Sequence, residues 1–281
     1  MKLITVELIC FGNELLIGKT VNTNAHWLGK RIVMLGANLS RITTVGDNLE
    51  DMSTVVKEAL SRKPDIIITS GGMGTTFDDI ALAAIAKATN KELKLNEEAI
   101  ELIKNRLEEL KKIREISLEF TEERKRMAML PAGATALKNR SGSAPGSFIE
   151  YDSTKIFSVP GVPNEMKAIF DYEIVKFFNF EPNEQYFERS IIVNHVPESE
   201  LAAAINNTRE KFSTIYFKTH PHTSSTSKVG FIEVEVHLTS ICSEEESKML
   251  IEAEKEIINI IKNLKGATGI KPIIKTQNNT E

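Results

Sequence analysis

An apolar run that opens into a glycine-rich, doubly acidic turn constrains this chain more than any other stretch. Asp65-Ile66-Ile67-Ile68-Thr69 has the composition of a buried strand. Ser70-Gly71-Gly72-Met73-Gly74 has that of a tight turn, and Ile80-Ala81-Leu82-Ala83-Ala84-Ile85-Ala86 that of a helix. Strand, turn and helix in this order make one unit of a parallel sheet. Glycines let the main chain approach a ligand and aim N–H groups at an anion, and the following helix N-terminus adds partial positive charge. Asp78 and Asp79 are expected in the first turn of that helix, where they cap it. Beside a phosphate they would repel it unless a cation lay between. A capped turn with no ligand is the plainer reading of such a motif. The aspartate pair favours a site for phosphate plus a divalent cation.

The same alternation runs through the first half of the chain. Leu3 to Phe11 reads as a strand, Asn24 to Leu35 as a helix with Trp27, Leu28, Ile32 and Leu35 on one face, and Leu39 to Val45 as the next strand. Leu49 to Leu60 is an amphipathic helix that Pro64 separates from the strand at Ile66. The fold class expected is α/β, a three-layer parallel-type sheet with helices on both faces and right-handed crossovers. Asn96 to Ile116 reads as a charged helix with a solvated face, and residues 119–127 as a further charged helical piece. Phe148 to Tyr151 and Lys155 to Val159 form a hairpin across Asp152-Ser153-Thr154, and Pro163 opens another helix.

The composition changes at Asn179-Phe180-Glu181-Pro182-Asn183. A first domain over 1–180, a small α+β domain over 186–268 and a flexible tail over 271–281 are expected. The second domain reads as β-α-β-β-α: a strand at Phe187 to Val193, a helix at Glu198 to Phe212, strands at Thr214 to Lys218 and Phe231 to Leu238, and a helix at Ser243 to Leu264. His220-Pro221-His222 falls in a Ser/Thr-rich stretch with no carboxylate or thiol close by, so an exposed loop is favoured over a metal site.

A chain of 281 residues with a net charge of -4 has no general attraction for nucleic acid. Cys10 and Cys242 lie far apart without metal spacing, which fits a reducing, cytoplasmic setting. The N-terminal run is too short and too interrupted for a signal peptide or a membrane span. No Gly-x-Ser-x-Gly elbow and no P-loop lysine pattern is present.

In a parallel sheet, ligands bind where the strands end. The first strand runs into Gly12-Asn13-Glu14-Leu15-Leu16-Ile17-Gly18 and the second into Val45-Gly46-Asp47-Asn48. Glu14, Asp47 and the Asp78–Asp79 pair therefore converge on one edge, an arrangement suited to a Mg²⁺-type cation whose shell phosphates complete. Asn24 reads as a helix N-cap first and a polar contact second. Asn139 to Gly146 and Val159 to Met166 are small-residue loops able to hold the far end of a ligand, or simply turns around the hairpin.

Taken in order, Gly12 to Gly18, Asn22-Thr23-Asn24, Val45-Gly46-Asp47, Gly71 to Asp79, Asn139 to Gly146 and Pro160-Gly161-Val162-Pro163-Asn164-Glu165-Met166 resemble the CinA (competence/damage-inducible protein) family. The resemblance covers roughly the first 170 residues, one domain of molybdopterin-binding fold. The second module is similar, more loosely, to the KH-like domain that follows in that family. The chain ends after that module, so the nicotinamide mononucleotide deamidase domain of full-length relatives is expected to be absent and deamidation is not carried over. Two departures stand out: Thr75 where the family usually has Pro, and Arg126-Met127-Ala128 where it has Lys-Gln-Ala.

The resemblance implies a metal-dependent nucleotide pyrophosphatase that splits ADP-ribose, or a related nucleoside diphosphate compound, into AMP and ribose 5-phosphate. The site so expected places Asp47, Asp78, Asp79 and Glu14 at the chemistry, with Asp47 and Asp79 on the cation. Substrate would be held by Gly12, Asn13, Asn24, Ser70, Gly71, Gly72, Gly74, Thr76, Asn139, Ser143, Gly161 and Asn164. The cofactor expected is a divalent cation, Mg²⁺ first, with a monovalent cation as an optional companion. The alternative is a binding protein or adenylyltransferase for molybdopterin, as in the MoaB and MogA relatives of the same fold. KH modules that grip nucleic acid use a Gly-x-x-Gly loop. None occurs from Glu198 to Lys218, so the partners expected are a small nucleotide and a second copy of the chain in a homodimer, with neither nucleic acid nor membrane.

Overall fold

The structure is a computed structural model and describes residues 4–114, 119–178, 185–222, 233–264 and 272–278. The chain divides into two compact units, the first reaching to Asn179 and the second made mainly of the residues beyond it.

The first unit opens with β1 (Thr5–Phe11), α1 (Asn13–Leu16), α2 (Thr23–Met34), β2 (Asn38–Val45), α3 (Leu49–Ser61), β3 (Ile66–Ser70) and α4 (Ala81–Ala88). It continues with β4 (Leu93–Leu95), α5 (Glu97–Arg114), α6 (Glu122–Arg126), β5 (Met129–Pro131), β6 (Thr135–Leu137), β7 (Gly146–Tyr151), β8 (Thr154–Val159) and α7 (Pro163–Ile169). One six-stranded sheet has the order β2-β1-β3-β8-β7-β6. Its first four strands are parallel, and β7 and β6 are antiparallel additions at one edge. This is the α/β architecture the alternation predicts.

β1 and β3 are near-continuous apolar runs because helices cover both sheet faces. On one face Ile9, Phe11, Ile67 and Ile156 pack with Met52 and Val56 of α3, Ile85 of α4 and Ile103 of α5. On the other, Phe148 and Phe157 stack at 4.8 Å under Phe177, and Trp27 of α2 meets Phe170 edge-on at 5.6 Å. The one charge inside β1, Glu7, is buried and takes a bidentate pair from Arg62 just beyond α3, both bonds 2.7 Å.

The register brings the strand ends level. Phe11 pairs with Val45, Cys10 with Ser70, and Ser70 with Val159. The loops after β1, β2, β3 and β8 therefore all leave from one edge.

The second unit contains β9 (Gln185–Asn194), α8 (Glu198–Ala204), α9 (Asn206–Lys211), β10 (Tyr216–His222), β11 (Glu233–Cys242), α10 (Lys248–Asn263) and β12 (Ile273–Asn278). Its antiparallel sheet, β10-β11-β9-β12, buries Ile191, Val193, Val234, Val236 and Leu238 against Leu201, Leu250, Ile257 and Ile261 of the helices and Ile205 between α8 and α9.

Three expectations are corrected here. The tail is not wholly flexible: Ile273 to Asn278 form β12 along the edge that β9 leaves open, and Ile274 packs on the core. The single helix expected from Glu198 to Phe212 is two short ones broken at Ile205, ahead of the poor helix formers Asn206, Asn207 and Thr208. His220-Pro221-His222 is the end of β10, not loop, because those residues complete the ladder with β11.

Candidate functional site

The strand-end loops of the first unit enclose a cavity of about 510 Å³. Its wall includes Gly12 and Glu14 after β1, Asn24 of α2, Asp47 after β2, and Ser70, Gly71, Gly72, Gly74, Thr76, Asp78 and Asp79 after β3. Ser143 and Gly161 complete it from the loops around the β7–β8 hairpin. Three of the residues expected at a site, Asn13, Asn139 and Asn164, are not in that wall.

Asn13 stands behind it as half of a clasp. Its backbone N–H donates to Asp47 Oδ2 at 2.8 Å, and its side-chain oxygen accepts from the Asp47 N–H at 3.2 Å. The clasp needs Gly46, because a Cβ there would lie 2.4 Å from Asn13 Oδ1. Asn48, not Asp47, caps α3, accepting from the N–H groups of Glu50 and Asp51. That leaves Asp47 free to bracket the β1 loop. Glu14 folds back over Gly12, whose absent Cβ would lie 2.5 Å from its carboxylate.

The glycine turn is built by close approach. Gly71 has φ 106°, and a Cβ there would sit 2.3 Å from the Phe11 carbonyl oxygen. The sequence predicts that the aspartate pair caps α4, and it does not. The helix starts at Ala81, and Ile80 precedes it without a side-chain cap. Asp79 turns back instead, accepting from the Thr76 N–H at 2.8 Å and from the Thr76 hydroxyl at 2.7 Å. The same hydroxyl faces Asp78 Oδ1 and pulls that carboxyl below its ordinary range. Residues 76–79 thus form a turn closed by its own acids, a local alternative to helix that Thr and Asp side chains favour. The Asp79 carboxylate lies over Gly74, where a Cβ would come within 2.6 Å.

Asn24 is also not a helix cap. Asn22 fills that role, accepting from the Ala25 N–H at 3.0 Å. Asn24 ties three elements together: its Nδ2 donates to Ser70 Oγ at 2.9 Å and to the Gly161 carbonyl at 2.8 Å. Since a carbonyl only accepts, the amide orientation is settled. Its Oδ1 is buried without a hydrogen-bond partner among the described residues.

Asn139 is buried and organises the loop that follows it. Its Oδ1 accepts from the N–H groups of Ser141 and Gly142, and its Nδ2 donates to the Ala144 carbonyl at 2.7 Å and to Glu165 Oε2 at 2.6 Å. Glu165, in the first turn of α7, lines the cavity, and burial raises its carboxyl above the usual range, with Asn139 and then Arg106 pulling it partway back. Glu165 is not among the site residues expected from the sequence; its signal is an acid two residues beyond the Pro163 that starts a helix at a strand end. Asn164 is exposed on α7. Cys10, a buried thiol held toward its neutral form by burial, also lines the cavity, as does Met127, which stands where the CinA family has Gln.

No group of three or more His, Cys, Asp or Glu side chains converges as a metal site among the described residues. Asp47 and Asp79 lie in the same wall, Asp47 with an oxygen engaged by the β1 loop and Asp79 with one engaged by its own. This donor set fits a hard cation that takes most of its shell from ligand phosphates and water, as Mg²⁺ does, rather than a protein-only cage.

Comparison with known proteins agrees with this fold. The family described as "Probable molybdopterin binding domain" matches residues 7–179, and the chain belongs to it. A protein of Saccharolobus islandicus (strain L.S.2.15) is 40% identical over 261 residues, covering 92% of this chain and 95% of that protein. The SSO0103 protein of Saccharolobus solfataricus is 39% identical over 92% of this chain and 93% of its own length. Among solved structures, the protein CinA with unknown function from Thermoplasma acidophilum superposes with a TM-score of 0.57 at 31% identity, covering 63% of this chain and 99% of that one. The chain is thus a CinA-like protein of the molybdopterin-binding fold. No described helix is long and apolar enough to cross a membrane.

Proposed function

We propose that the strand-end cavity binds a phosphate-bearing pterin of the molybdopterin class. The observation that carries this is the turn at Gly71 to Gly74. It brings bare main chain into the wall of a cavity whose volume, about 510 Å³, suits a ligand of that size. The family description supports the pterin, and the convergence of glycine loops supports the phosphate. A divalent cation enters with the ligand, shared between its phosphates and one or two of the wall's carboxylates.

A second reading rests on those carboxylates. Glu14, Asp47, Asp78 and Asp79 flank one cavity, as cleavage of a phosphoric anhydride such as ADP-ribose would need. Calorimetric titration of the full chain with 6-hydroxymethylpterin diphosphate and with ADP-ribose, each with and without Mg²⁺, tests both. The pterin compound is expected to bind, more tightly with Mg²⁺. Binding of ADP-ribose with release of AMP, abolished by chelator, would replace the first reading by the second. Heat from neither ligand would remove both.

A further inference from the structure

Among the exposed residues that line the cavity, apolar side chains stand beside polar ones. Val21 and Val162 are both part of the cavity wall, yet 79% and 54% of each remains exposed. Phe77 is 85% exposed, and the residues on either side of it, Thr76 and Asp78, both line the cavity. At a cavity, exposed methyl-bearing side chains and an aromatic ring offer apolar surface that a ligand's ring can cover. Their anchors are firm. Phe77 sits at the tip of the turn that Asp79 closes onto Thr76, and Val162 accepts from the N–H groups of Glu165 and Met166 at the start of α7. Only the side chains are free to adjust, which exposed rotamers do on a fast timescale.

Resting on the ligand reading above, we infer that this rim is a heterocycle-binding subsite. The ligand lies with its phosphate against the Gly71 to Gly74 turn and its planar ring at the mouth. Val21 and Val162 contact that ring, and Phe77 folds onto its face. The shared chemistry is a flat heteroaromatic group joined to phosphate. A pterin and a purine both have it, and an aliphatic sugar phosphate does not. Stacking a ring on an aromatic side chain contributes a stabilisation that alanine substitution reads as roughly a tenfold loss of affinity.

The test compares matched pairs by calorimetry on the full chain: AMP against ribose 5-phosphate, and 6-hydroxymethylpterin diphosphate against inorganic pyrophosphate. Wild type is expected to bind the ring-bearing member of at least one pair roughly tenfold more tightly. The pair that shows the preference separates purine from pterin. In a Phe77→Ala, Val162→Ala double variant the preference should fall toward unity while the ringless member binds as before. Phe77→Trp should keep it. Both side chains are exposed, so the variants are expected to fold. Equal binding of both members by wild type overturns the inference while leaving the phosphate reading intact. So does a preference that survives the double substitution. Sedimentation velocity adds a further check: a wild-type oligomer that the double variant breaks would make the rim a contact between copies of the chain, and refute the ring subsite. Binding of none of the four probes removes the ligand reading itself, and the subsite with it.

Discussion

Asp79 distinguishes a carboxylate that acts on a ligand from one that holds a loop. Its Oδ2 accepts from the Thr76 N–H at 2.8 Å and lies 2.7 Å from the Thr76 hydroxyl, whose one proton it shares with Asp78, and its carboxylate lies over Gly74. Asp79→Ala deletes both contacts. Each is worth about 0.5–1.5 kcal/mol net, and exposure puts these at the lower end, so the turn loses about 1–2 kcal/mol of its preference for the observed shape. A ligand that needs that shape then binds about tenfold more weakly. Asp79→Asn keeps an amide oxygen in place of Oδ2 and removes only the charge. If bracing the turn is what Asp79 contributes, Asp79→Asn binds within about twofold of wild type and Asp79→Ala about tenfold worse. The resemblance to the CinA family implies a different pattern, in which Asp79→Asn keeps the fold and loses turnover. Calorimetry with 6-hydroxymethylpterin diphosphate and product analysis with ADP-ribose, on variants with the wild-type unfolding midpoint, distinguish the two. An Asp79→Asn variant as weak as Asp79→Ala refutes the bracing argument. One that binds normally but yields no AMP where wild type does assigns the charge to chemistry.

Three further outcomes follow from other contacts. Gly71→Ala puts a Cβ 2.3 Å from the Phe11 carbonyl at φ 106°, and should lower stability in urea by about 3 kcal/mol; a loss under about 1 kcal/mol would mean the β1–β3 edge can give. Arg62→Ala leaves the Glu7 carboxylate buried without its bidentate partner and should cost about 3 kcal/mol, most of it recovered when Glu7→Gln is added; an unchanged urea midpoint in the single variant sinks the argument. Burial raises the folded-state pKa of Glu165 above its ordinary 4.5, so its favourable contribution is full below that pH and is lost as pH rises through the folded value. Glu165→Gln should therefore match wild type in acid and gain thermal stability over it toward neutral pH. A variant less stable than wild type at neutral pH would contradict this.

The parallel core was legible because it depends on patterns that survive without coordinates. Ile66 to Thr69 and Thr5 to Phe11 are unbroken apolar runs, and only a sheet covered on both faces accommodates them. Once β1, β2 and β3 are parallel, Glu14, Asp47 and Asp79 must leave from one edge, and the cavity wall includes all three. What escaped was the outcome of short-range competition. Two asparagines, Asn22 and Asn24, stand at the start of α2, and either can cap. Asn22 does, and Asn24 is drawn to Ser70 and Gly161, partners 46 and 137 residues away. Asp78 and Asp79 precede a helix, yet the Thr76 hydroxyl offers them a nearer donor. The edge strand β12 was missed because its only apolar pair, Ile273-Ile274, is too short to signal a strand until β9 supplies the ladder.

These local outcomes share a physical logic that bears on the site. Asp47 is bonded to the Asn13 N–H, Asp79 to Thr76, and Glu165 to Asn139, so each of these acids is satisfied within the loops before any ligand arrives. The loops in turn are pinned to strand ends, Gly12 N–H to the Val45 carbonyl and Gly71 N–H to the Val159 carbonyl, each at 3.1 Å. Negative charge around the cavity is therefore placed by the sheet edge and not by mutual attraction to a metal. On the proposed ligand reading, a cation entering with phosphate would find oxygens already oriented and need little reorganisation, the condition under which electrostatic stabilisation is most effective. The same wiring explains why the glycines matter as a set. Gly12, Gly46 and Gly74 each sit under the side chain of Glu14, Asn13 or Asp79, and a Cβ at any of them would displace that side chain before it disturbed the sheet. Substitution at Gly46 and Gly74 should accordingly alter ligand binding more than stability, whereas at Gly12, with φ 154°, and at Gly71, which rests on backbone, the order reverses.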